Sequence, residues 1–119
     1  MKRFFTFSLL ALLCFCAVAQ SVTLTGHNVQ LSQNTPNPFN GTTDVYLTTT
    51  EAGTVTMEIA DINGRMVVGA NNYSPQPGVH QFRITLATPS TYVLTARQNG
   101  QTSSIKMICN GGGNSNSID

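Results

Sequence analysis

The sequence predicts an all-β fold, an antiparallel immunoglobulin-like β-sandwich of about seven short strands. Three observations carry that prediction. Apolar residues alternate with polar ones along several short segments, the period of a half-buried strand. Clusters of Gly, Pro and Asn separate those segments and mark turns. No stretch after the first nineteen residues has a helical period.

The elements follow in order. Val22 to Thr25 and Val29 to Ser32 are candidates for one or two short leading strands. Val45 and Leu47 then alternate with Asp44, Tyr46 and Thr48. In the next segment Val55, Met57 and Ile59 share one face, and Thr54, Thr56 and Glu58 share the other. Phe82, Ile84 and Leu86 alternate with Gln81, Arg83 and Thr85. Two further segments, residues 91–96 and 103–108, complete the set. The expected core is Phe39, Val45, Leu47, Val55, Met57, Ile59, Val67, Phe82, Ile84, Leu86, Val93 and Ile108.

The turns have their own chemistry. Asn63-Gly64 between apolar strands predicts a type I′ hairpin, which needs φ > 0 at both central residues. Asp61 is placed to cap that turn with its side chain, and Arg65 begins the return strand. Pro77-Gly78 is a turn that launches the Phe82 strand. Pro36 and Pro38 fix φ and push Thr35 and Asn37 toward extended conformations, so residues 34–40 should form a stiff lead-in that delivers Phe39 to the core.

Residues 1–19 are expected to be a signal peptide and to lie outside the fold. Lys2 and Arg3 precede an apolar run broken only by Thr6 and Ser8, and Ala17-Val18-Ala19 supplies the small-x-small cleavage pattern. The run is too short for a stable span, so no membrane span is expected after cleavage. Leu13 and Phe15 precede Cys14 and Cys16, where a lipoprotein signal needs a small residue. Cys109 is then the one mature cysteine, which excludes an intramolecular disulfide. Residues 20–33 form a short N-terminal segment, residues 34–109 the sandwich, and residues 110–119 a flexible polar tail with nothing to bury.

Composition narrows the function. The net charge is +1, with six Lys and Arg against five Asp and Glu. No basic stripe exists, so no nucleic-acid partner is expected. His27 and His80 have no Cys or carboxylate beside them at ligand spacing, so no metal is expected. Asp61-x-Asn63-Gly64 opens like a calcium loop, but the remaining acidic ligands and the closing Glu are missing. No Gly-x-Ser-x-Gly elbow is present, and nothing orients a base. The reading is therefore a non-enzymatic protein with no catalytic residues and no cofactor.

One ordered series remains. Asn34-Thr-Pro-Asn-Pro-Phe-Asn40 is followed by Asp61-Ile-Asn-Gly-Arg65, Pro77-Gly-Val-His80, Ser90-Thr-Tyr92 and Lys106-Met107-Ile108. In order and spacing it resembles the type A C-terminal sorting domain of proteins exported by the type IX secretion system of Bacteroidetes. The resemblance rests on Asn34, Pro36, Asn37, Pro38, Phe39, Asn40, Asp61, Gly64, Arg65, Gly78, His80 and Tyr92. It implies an immunoglobulin-like sandwich whose partners are the type IX translocon and a surface peptidase. It also implies a recognition strand, here Ser104, Ile105, Lys106, Met107 and Ile108. The implied location is the cell surface or medium, with the periplasm as the alternative. The alternative function is a stand-alone periplasmic or surface module of the same fold that binds a protein or glycan.

Overall fold

A computed structural model describes residues 28–119. The signal peptide, the candidate strand at Val22 to Thr25 and His27 lie outside the described residues. Among the described residues are eight strands and no helix: β1 (Val29–Leu31), β2 (Thr42–Thr49), β3 (Val55–Asp61), β4 (Met66–Tyr73), β5 (Gly78–Thr85), β6 (Ser90–Gln98), β7 (Gln101–Cys109) and β8 (Ser117–Ile118). They form two four-stranded antiparallel sheets, ordered β1-β2-β5-β8 and β4-β3-β6-β7. The chain crosses between sheets after β2, β4, β5 and β7, the Greek-key connectivity of immunoglobulin-like sandwiches.

The alternation read from sequence sets which side chains meet between the sheets. Val45 and Leu47 of β2, Val55, Met57 and Ile59 of β3, and Ile84 of β5 are fully buried, with Phe39 and Leu86 beside them. Tyr92 is a tyrosine corner: its ring is buried and its hydroxyl donates to the Thr88 carbonyl at 2.6 Å. Gln98 is buried too, but its amide is satisfied. Nε2 donates to the carbonyls of Glu51 and Gly53, and Oε1 accepts from the Thr49 hydroxyl.

Several expectations are corrected. Val93 and Ile108 are 36% and 42% exposed, and Val67 is half-buried. In β6 the inward set is Tyr92, Leu94, Ala96 and Gln98, because burying Val93 would bring Arg97 inward with it. In β7 Met107 and Cys109 point inward, because the opposite phase would bury Lys106. In β4 register shifts opposite Ile59 bring Val68, not Val67, into the core.

The Asn63-Gly64 turn is also not type I′. Gly64 has φ 83° but Asn63 is not in the left-handed region. Gly64 N–H donates to the Asp61 carbonyl at 2.9 Å, and Asp61 N–H to the Arg65 carbonyl at 2.8 Å. That is a type I turn closed by a glycine bulge. The expected cap explains the choice: Asp61 Oδ1 accepts from the N–H groups of Asn63 and Arg65, bonds that fix the type I geometry. The mirror-type turn lies instead at Asn99-Gly100, φ 49° and 79°, between β6 and β7.

Residues 110–119 are not an unpacked tail. The N–H groups of Gly112 and Gly113 donate to the carbonyls of Ala87 and Leu86, carrying the chain back to the first sheet. Ile118 pairs with Ile84 and is buried, while Asp119 exchanges both backbone hydrogen bonds with Arg83. Ile118 is the one apolar residue of this segment, and Asn116 Oδ1 adds a bond from Ala87 N–H at 3.0 Å.

Candidate functional site

One end of the sandwich gathers most of the sequence-predicted site. The lead-in loop at residues 34–40 lies against the last residues of β7. Phe39 N–H donates to the Ile108 carbonyl at 3.0 Å, and Asn110 N–H donates to the Phe39 carbonyl at 2.8 Å. Asn37 Oδ1 accepts from Ile108 N–H at 2.9 Å. Gln33 Nε2 donates to the Lys106 carbonyl at 2.9 Å. The two ends of the sorting-type series thus meet in space.

The loop is held by a buried polar network. Asn34 is 2% exposed; its Nδ2 donates to the Pro36 carbonyl and to Thr43 Oγ1, and its Oδ1 accepts from Gln33. Thr43 Oγ1 donates to the same Pro36 carbonyl at 2.7 Å. Pro36, Asn37, Pro38 and Asn40 are exposed, and Phe39 plugs the core. Asn40 supplies the carbonyl that accepts from Thr42 N–H.

Asp61, Gly64, Arg65 and Tyr92 sit at the same end, since Asp61 pairs with Tyr92 and Tyr92 with Met107. An open cleft of about 470 Å³ lies there, lined by Asp61, Arg65, Met66, Thr88, Tyr92 and Asn116 among others. The Arg65 backbone N–H, then the Asn63 N–H and the Arg65 guanidinium, hold the Asp61 carboxyl below its usual range against the opposing effect of burial. Burial, with Cys109 and Asp61 nearby, raises the Tyr92 phenol. The carboxylate is committed to its turn, and the phenol to its corner.

Gly78 and His80 fall elsewhere. They pair with Thr49 and Leu47, toward the end of the sandwich where Thr49 meets Gln98. His80 Nε2 contacts the Gln76 carbonyl. These two positions shape a turn and do not join the loop and terminal strand. Within the candidate recognition strand, Ser104, Lys106 and Ile108 point outward, Ile105 is half-buried and Met107 is fully buried. Cys109, absent from the expected core, is buried beside Phe39, and its Sγ accepts from Gly111 N–H at 3.2 Å. Its signal was the phase it shares with Met107.

Among the described residues no group of His, Cys, Asp and Glu could hold a metal ion, and no helix is long and apolar enough to cross a membrane. Fold and site define a small antiparallel sandwich whose entry-side loop clamps the end of β7. The secretion system C-terminal sorting domain family matches residues 35–110, and the chain belongs to that family. Membership makes it a type IX secretion-related exported module, of a family that is not enzymatic. A conjugative transposon lipoprotein from Bacteroides eggerthii is similar in structure at 11% identity, with TM-score 0.45, over 72% of this chain and 100% of that one. No curated protein matches the chain.

Proposed function

We propose that this chain is a non-enzymatic protein whose sandwich addresses it to the type IX translocon for secretion or cell-surface attachment. A signal peptide at residues 1–19 carries it across the inner membrane. The translocon then reads the Ser104 to Ile108 stretch of β7, and a surface peptidase acts on the exported chain. The observation that carries this reading is the clamp of Asn37 and Phe39 on Ile108, which fixes the end of β7 with Ser104, Lys106 and Ile108 turned outward.

A second reading is a stand-alone surface or periplasmic module that binds a protein or glycan. Its support is the seated C-terminal segment, in which Ile118 and Asp119 are built into the first sheet. Mass spectrometry of terminal peptides decides between them. Periplasmic, outer-membrane and medium fractions are compared with and without a working type IX translocon. Translocon-dependent appearance outside the cell, with C-terminal peptides removed, is expected under the first reading. An intact chain ending at Asp119 in the periplasm of both strains overturns it in favour of the second.

A further inference from the structure

We propose that the open half of the β7 edge, Thr102 to Lys106, receives an extended strand of the type IX translocon by backbone pairing. The proposal rests on the sorting reading above and names how the contact is made.

The hydrogen-bond phase of β7 locates the open groups. The two-residue turn at Asn99-Gly100 makes Gln98 and Gln101 a hydrogen-bonded pair, so alternate residues from Gln101 to Cys109 bond to β6. The N–H and C=O groups of Thr102, Ser104, Lys106 and Ile108 therefore face away from the sheet. Three bonds fit this phase: the Lys106 carbonyl accepts from Gln33, Ile108 N–H donates to Asn37, and the Ile108 carbonyl accepts from Phe39. The loop thus covers the edge from the Lys106 carbonyl onward. The outward groups of Thr102 and Ser104, and the N–H of Lys106, have no protein partner among the described residues; β1 meets this stretch through the Ser103 hydroxyl, which accepts from Leu31 N–H at 3.0 Å and leaves those backbone groups unpaired.

The other edges are poorer templates. β1 and β8 have three and two residues. β4 carries register shifts and Gly69, which blunt an edge. β7 is nine residues long, regularly paired and free of proline. An unblunted edge with unpaired groups recruits a strand. Lys106 specifies it further. Its side chain is exposed and takes part in none of the three ion pairs among the described residues. The incoming strand should therefore place a carboxylate beside it.

Proline at Ser104 tests the idea, because that N–H points off the sheet. Ser104→Pro removes an outward donor while sparing the β6 ladder, the one place a strand tolerates proline. Export of the full chain is measured in cells with and without a working type IX translocon. Ser104→Pro is expected to cut surface delivery about tenfold or more, the loss of roughly one backbone bond plus steric block, with a melting transition matching that of Ser104→Ala, which loses the same exposed hydroxyl bond to Thr95. Ser104→Ala is expected to export normally. Normal export of Ser104→Pro overturns the edge proposal and leaves the sorting reading intact. Translocon-independent export of wild type overturns both. Should the proline variant melt early, hydrogen exchange on the wild-type protein decides. The Thr102, Ser104 and Lys106 amides must gain protection with detergent-solubilised translocon, and unchanged exchange overturns the proposal. Protection that appears without translocon as concentration rises points to a second copy instead, and likewise overturns it.

Discussion

The side-chain oxygen of Asn37 accepts a hydrogen bond from the Ile108 backbone at 2.9 Å, tying the first motif of the series to its last. Because the bond lies on an exposed edge, water can replace it. Asn37→Ala is therefore expected to cost only about 0.5–1 kcal/mol in urea unfolding. Exchange at the Ile108 amide should accelerate in the same variant. An unchanged Ile108 rate would show that the clamp is not formed in solution.

Asn34 should behave differently from its neighbour. Its amide is buried and links Gln33, Pro36 and Thr43, so Asn34→Ala leaves several buried groups short of partners. A loss of about 2–3 kcal/mol is expected, clearly larger than for Asn37→Ala. Equal losses at the two sites would mean that the network does not organise the loop.

Met57 and Ile84 come from facing sheets, and neither is exposed. Met57→Asp or Ile84→Asp places an unpaired charge between the sheets, at a cost of about 3–5 kcal/mol. A small domain has few kcal/mol to spare, so both variants should be largely unfolded by circular dichroism. A retained melting transition in either would contradict the strand phases.

Much of this was legible because single strands declare their buried face when all their large apolar residues share one phase. β3 is such a case, with Thr56 and Glu58 opposing Val55, Met57 and Ile59. β6 and β7 are apolar in both phases, and there the deciding residues were the charges, Arg97 and Lys106, not the valine and isoleucine beside them. Turn type escaped for a related reason. Asn-Gly closes two hairpins, at Asn63-Gly64 and Asn99-Gly100, and the side-chain bonds of Asp61 distinguish the bulged turn from the mirror-type one. The meeting of Asn37 with Ile108 could come only from the family resemblance or from the fold, since 71 positions separate them.

Asp61 makes stability sensitive to acid. Its carboxyl titrates lower in the folded protein than in the unfolded chain, chiefly through the Arg65 and Asn63 N–H groups. The folded state then favours the ionised form. Its contribution is complete above the unfolded value, about 3.9, and is lost as pH falls through the folded one. Asp61→Asn should remove that part of the acid dependence. Parallel stability curves for wild type and variant below pH 5 would contradict the assignment.

Gly113 tests whether the C-terminal segment is part of the fold. A Cβ there would lie 2.4 Å from the Leu86 carbonyl oxygen, which is backbone and cannot step aside. The same glycine donates its N–H to that carbonyl, so relief by shifting the chain breaks the bond that steers residues 114–119 toward β5. Gly113→Ala should therefore release β8, and its effect should match that of Ile118→Ala, which removes the one buried side chain of the strand. We expect about 1–2 kcal/mol for each, below the range for a central core residue because Ile118 sits at the sheet margin. That loss lowers the melting temperature by roughly 4–15 °C in a domain of this size. The double variant should be little worse than either single one, since both detach the same strand. Additive losses would mean that Gly113 and Ile118 act separately, and that β8 is not held as a unit.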